Sequence, residues 1–103
     1  MKYVNYIHYA GTSDEVAALR PAHRAYLAEL AARGKLAASG PLTDFTGALF
    51  IYEADNLAEA QQIAADDPYA IGGVLTDSEL KQWQLLFSDT DLLATEAAAP
   101  PLT

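Results

Sequence analysis

Between residues 2 and 9 the chain carries Tyr3, Val4, Tyr6, Ile7 and Tyr9, a density of aromatic and β-branched side chains that favours a pleated strand. Gly11-Thr12-Ser13-Asp14 ends it. From Ser13 to Arg33 an Ala- and Leu-rich stretch favours helix, but Pro21 has no N–H and its ring crowds the preceding turn, so it is best placed in a first turn. The pattern therefore predicts a short helical turn over 14–19 and a main helix from about residue 20, closed by Gly34 in a left-handed cap.

Two strands follow over 35–42 and 46–54, the second built on the apolar run Ala48-Leu49-Phe50-Ile51-Tyr52, with Thr43-Asp44-Phe45 joining them as a hairpin. Asn56-Leu57-Ala58-Glu59 has capping-box spacing and opens a second helix that stops at Asp66-Asp67-Pro68. The last element is in conflict. Thr76-Asp77-Ser78-Glu79 is a further capping box, and Leu80, Trp83, Leu86 and Phe87 recur at helical spacing. A strand over about 74–84 would instead complete βαββαβ, the α+β ferredoxin-like arrangement in which a four-stranded antiparallel sheet carries two helices on one face. We take the strand. Residues 1–87 then form one domain, and 88–103 a tail that is mobile unless it packs on a partner subunit.

Composition narrows the partners. A chain of 103 residues with 51% apolar side chains suits one core and is too hydrophobic for disorder. Its formal charge of −8 repels nucleic acid and anionic membrane surfaces alike, and no apolar run approaches the roughly 20 residues that span a bilayer. The start of the chain has no signal-peptide core, and cysteine is absent, so disulfides and thiolate chemistry are excluded. The expectation is a soluble, cytoplasmic protein.

Advancing about 100° per residue along the main helix puts Leu19, Tyr26, Leu27 and Leu30 on one stripe, with His23 within roughly 20° of its centre. Arg20 lies on the flank, where it could reach the mouth of a pocket. A core histidine satisfied by one hydrogen bond is the competing reading. Asp66 and Asp67 fall at the C-terminal end of a helix, where the dipole disfavours each carboxylate by roughly 0.3–1 kcal/mol. Such a local conflict marks functional sites, although Asp-Asp-Pro is also ordinary turn chemistry. An inward imidazole oriented by an aspartate suffices for general acid–base catalysis without metal or organic cofactor. His8 with scattered acids lacks metal-ligand spacing. Ser39-Gly40-Pro41 reads as a small-residue turn that lets a ligand approach the backbone. With Arg20, the residues Tyr26, Ser39, Gly40 and Tyr69 complete the candidate contacts to a small-molecule substrate.

The series Arg20-Pro21-Ala22-His23-Arg24-Ala25-Tyr26-Leu27, Gly34, Gly40-Pro41, Gly47 and Asp66-Asp67-Pro68-Tyr69 resembles the YCII-related (YciI-like) family in order and spacing. The resemblance implies a ferredoxin-like protomer that pairs its sheet with a second to make a dimeric α+β barrel, and the strand assigned to 74–84 leans on it. It also implies an active-site dyad at His23 and Asp67. Relatives in the wider superfamily handle chlorinated muconolactones, isomerise muconolactone or act as cofactor-free oxygenases. Dimerisation has an independent argument, since a sheet with both helices on one face leaves the other bare and a homodimer through the sheet faces would cover it.

Three functions stay open at this level. The first is a small cofactor-independent enzyme that isomerises, hydrolyses or eliminates by proton transfer at His23 on a lactone or aromatic-derived molecule. The second is a non-catalytic dimeric module with a structural His–Asp pair. The third, a cofactor-free oxygenase or haem-handling protein, has the least support.

Overall fold

The computed structural model describes residues 1–95. Its elements are β1 (Lys2–Tyr9), α1 (Ser13–Ala32), β2 (Leu36–Pro41), β3 (Gly47–Glu53), α2 (Leu57–Ala65), α3 (Pro68–Ile71) and β4 (Leu75–Trp83), followed by a 3-10 turn at Thr90–Leu93. The four strands form one antiparallel sheet in the order β2-β3-β1-β4, which is the ferredoxin-like α+β topology.

Strand alternation decides which side chains meet the helices. On β1, Tyr3, Asn5 and Ile7 are buried and pair with Tyr52, Phe50 and Ala48 of β3. They share one core with Val16 and Leu30 of α1 and with Ala60 and Ile63 of α2. The intervening residues Lys2, Val4, Tyr6 and His8 point to the opposite face beside Glu53, Ile51, Leu49 and Gly47. Asn5 is buried among apolar neighbours without penalty, because its amide donates to Tyr52 Oη at 3.2 Å and its oxygen accepts from Ser78 Oγ at 2.7 Å.

Three local expectations require correction. Pro21 does not divide the first helix, which runs unbroken from Ser13 to Ala32. A capping box about two turns before the expected start of the main helix sets its start, with Glu15 N–H donating to Thr12 Oγ1 at 3.2 Å and Thr12 N–H to Glu15 Oε1 at 3.3 Å. Pro21 lies on the solvent side, as does Ala17, whose carbonyl loses its partner where water can replace it. The second correction concerns Asp67-Pro68, which opens the one-turn helix α3 rather than only ending α2. The third concerns Ser39-Gly40-Pro41, which is extended backbone within β2 and not a turn.

At the C-terminal end of α1 the expected cap is present. Gly34 has φ 71°, and its N–H donates to Ala31 while Lys35 N–H donates back to Leu30 O at 2.8 Å, which returns the chain into β2. At Thr76 the sheet overrides the local helix signal, because β4 pairs with β1 from Trp83 opposite Lys2 to Leu75 opposite Tyr9. Leu86 and Phe87 lie beyond the strand and are exposed. Of the segment read as a tail, residues 96–103 lie outside the described residues.

Gly47 is where β3 passes closest to β1. A Cβ built there would lie 1.9 Å from Ile7 O, whereas one at Gly40 meets nothing within 4 Å. Gly47→Ala should accordingly destabilise the fold by on the order of 3 kcal/mol as the strands are forced apart, and Gly40→Ala should be near neutral. Urea unfolding of the two variants checks the contrast.

Candidate active site

His23 occupies the middle of α1 and is 7% exposed. Its Nδ1 lies 2.7 Å from Asp67 Oδ1, and the same oxygen accepts the Tyr69 amide at 2.9 Å. Pro68 keeps Asp67 extended, with φ −63° and ψ 130°, so the carboxylate turns back over the first turn of α3. Oδ1 is thus an acceptor and Nδ1 donates, so in the neutral imidazole the lone pair falls on Nε2.

Aromatic rings hold the imidazole in place. Tyr69 stacks on it with centroids 3.8 Å apart and planes 11° apart, and Phe50 meets it edge-on at 5.7 Å. Tyr9 in turn packs edge-on against Tyr69 at 5.8 Å. No described buried side-chain nitrogen or oxygen lacks a partner, yet Nε2 has none among the described residues. It therefore reaches the cavity of about 260 Å³ that His23 lines. The volume suits a single ring with a few substituents.

Asp67 does not oppose a helix dipole as the sequence pattern predicts. Asp67 caps the start of α3, where its side-chain oxygen satisfies an otherwise unpaired amide. Asp66 is the residue at the end of α2, and it is exposed and hydrogen-bonded by Gln62 at 2.7 Å.

Among the other expected contacts, Arg20, Ser39, Gly40 and Tyr69 line the cavity. Tyr26 does not. Its hydroxyl donates to Ile63 O at 2.7 Å, which ties α1 to α2 and places it in a separate surface cleft. Burial, reinforced by Asp66, pushes its phenol up to about 12. Ser39 and Gly40 contribute from an extended strand, and the open space around a Gly40 Cβ means that no close approach demands glycine there. Sequence reasoning missed Tyr9, Arg24 and Phe45, which also line the cavity. Arg24 is legible from its i+4 spacing to Arg20; Tyr9 sits in the β1 pattern and Phe45 in the hairpin joint, where no local signal marks a ligand contact. His8 points to the other sheet face, its ring 4.4 Å from that of Tyr6 and tilted by 30°.

Two of the six basic side chains in a chain of net charge −8, Arg20 and Arg24, thus border the same cavity. The pocket suits an anion in a protein that otherwise repels one. Burial raises the Tyr69 phenol above the usual tyrosine range, and the Arg20 guanidinium beside it pulls part of the way back. Tyr9 is raised by burial and by Tyr69, again against Arg20. Both phenols are consequently neutral donors near neutral pH.

The fold and site define a class: a ferredoxin-like α+β protomer in which the first helix and the segment before the last strand bring a histidine and an aspartate to one small cavity. Residues 1–84 match the family described as the YCII-related domain, and the chain belongs to that family. It is 36% identical to the uncharacterised protein YjpA of Bacillus subtilis, over 61% of this chain and 73% of that one. To protein YciI of Escherichia coli it is 33% identical, over 84% and 100%. Among solved structures it resembles TftG of Burkholderia phenoliruptrix AC1100, a 5-chloro-2-hydroxyhydroquinone dehydrochlorinase in complex with 2,5-dihydroxybenzoquinone, with TM-score 0.72, 26% identity, and 82% and 94% of the chains covered. Rv0793 of Mycobacterium tuberculosis shares the fold at TM-score 0.57 and 12% identity, over 85% and 100%.

Carbon-13 NMR titration should show the Tyr69 phenol ionising above free tyrosine, and Arg20→Ala should move it further upward because the lowering charge is gone. A downward move would contradict the placement of Arg20 beside the phenol.

Proposed function

We propose that this protein is a small enzyme in which His23 Nε2 takes a proton from a ring-sized anionic substrate, Asp67 orients the imidazole, and Arg20 holds the negative charge. The observation that carries the reading is the division of labour within one imidazole: Nδ1 is committed to Asp67 at 2.7 Å, while Nε2 has no partner among the described residues and belongs to a ring that lines the cavity. Geometry of this kind orients a general base. Ser39 and Tyr69 supply hydroxyls near the same space.

Loss of hydrogen chloride, the activity named for TftG, asks for this apparatus and no redox partner. A base removes a proton, the electron pair forms a carbon–carbon or carbon–oxygen double bond, and chloride departs with the electrons of its own bond. The imidazolium then returns its proton to water. Elimination is therefore the reaction we place first for this chain, with an aromatic-derived ring that carries both chlorine and hydroxyl groups as substrate, chloride leaving from the keto tautomer, and the chemistry calls for no metal or organic cofactor. The cysteine-free composition suits a reducing cytoplasm.

The working form in this reading is a homodimer. The sheet face opposite the helices exposes Leu49 and Trp83 beside Val4, Tyr6 and Ile51, an apolar surface that a second sheet would cover. Among the described residues no helix is long and apolar enough to cross a membrane.

His23→Asn should lower turnover of a chlorinated hydroquinone by a factor of about 10² to 10⁴ and change the melting temperature little. A melting temperature that collapses by the equivalent of about 3–5 kcal/mol, in a protein whose wild type turns over nothing in a panel of such rings, would favour a structural pair in a binding module. Leu49→Lys should convert the dimer to monomer in sedimentation velocity; an unchanged sedimentation coefficient would remove the sheet face from the interface.

A further inference from the structure

Among the described residues, Phe45 alone combines a side chain with left-handed backbone, at φ 62°. Glycine or asparagine would adopt that conformation with less strain, since a Cβ there crowds the following carbonyl and a bulky residue is a true outlier. The loop enforces it. Leu42 N–H donates to Gly47 O at 2.8 Å, Phe45 N–H to Leu42 O at 3.0 Å, and Thr46 donates to Asp44 Oδ1 through both its amide and its hydroxyl, at 3.1 and 2.7 Å.

Core packing does not compensate for the strain, because Phe45 is 55% exposed. What its side chain does reach is the cavity of His23, where Ser39, Pro41 and Phe45 of the hairpin join Arg20 and Arg24 of α1 in the lining. A large aromatic residue in a disfavoured backbone, half in water and at the edge of a site, matches strain retained for a ligand.

We propose that Phe45 is a specificity-determining residue, a roof whose ring covers a bound planar substrate and shields His23 Nε2 from water. This rests on the reading of the cavity as the substrate site and adds to it. The favoured substrate is a flat, unsaturated ring, such as a hydroxylated aromatic or quinone anion, because an aromatic face gains more from stacking on a planar ring than on a puckered one.

The test compares wild type with Phe45→Asn, which tolerates the left-handed backbone, and Phe45→Leu, which keeps apolar bulk without a ring. Diethyl pyrocarbonate labelling followed by mass spectrometry reads the exposure of His23 with His8 as internal reference. Phe45→Asn should label His23 several-fold faster at an unchanged His8 rate and melt at or above the wild-type temperature. Calorimetry with 2,5-dihydroxybenzoquinone should show binding weakened tenfold or more in Phe45→Asn and by less in Phe45→Leu. Equal His23 labelling in wild type and Phe45→Asn overturns the roof whatever the quinone does, as does a marked fall in melting temperature, which would make Phe45 a structural residue. Faster His23 labelling in a protein whose wild type ignores the quinone supports the roof and sinks the quinone class alone.

Discussion

One carboxylate oxygen, Asp67 Oδ1, joins parts of the chain 44 residues apart. It accepts His23 Nδ1 from α1 and the Tyr69 amide from the first turn of α3, so a single atom caps one helix and orients the imidazole of another. A four-residue helix has too few hydrogen bonds to persist by itself. Here it is held by that cap, by Pro68 at its first position, and by Tyr69 stacked on His23. The same atom therefore both starts α3 and aims the imidazole.

The sheet serves two unequal faces. Tyr3, Asn5, Ile7, Phe50 and Tyr52 build the core toward the helices, and Phe50 also borders His23, so core packing and site geometry share a side chain. The opposite face lacks such cover. Its mixture of Val4, Tyr6, Leu49, Ile51 and Trp83 with Glu79 and Lys81 is more apolar than a solvent-facing sheet needs.

What the sequence made legible was what local or period-two signals control. β1, the β2–β3 hairpin and the Gly34 cap needed no distant partner, and the helical wheel alone turned His23 inward. Long-range terms decided the remainder. The box at Thr76 and the spacing of Leu80 and Trp83 favour a helix that pairing with β1 overrides, and only the family resemblance tipped that reading toward a strand. Pro21 misled because a proline on the solvent side of a helix costs less than one facing the core. Tyr26 shares the stripe of His23 but lies one turn further on, where α2 receives its hydroxyl, since a wheel gives direction around a helix and not depth along it. Asp67 was singled out through a dipole conflict that does not exist in the fold; its proximity to His23 depends on a turn too short to leave a periodic signal.

The arginine pair beside the cavity has a kinetic consequence. In dilute salt, where the screening length extends to about 30 Å, an approaching anion senses the net charge of −8 from afar and is repelled. Only close to the cavity do Arg20 and Arg24 dominate. The molecule is thus a short-range trap within a long-range barrier, and moderate ionic strength lowers the barrier before it weakens the trap. For an anion such a field is the reverse of electrostatic steering: salt first hastens the encounter rather than slowing it.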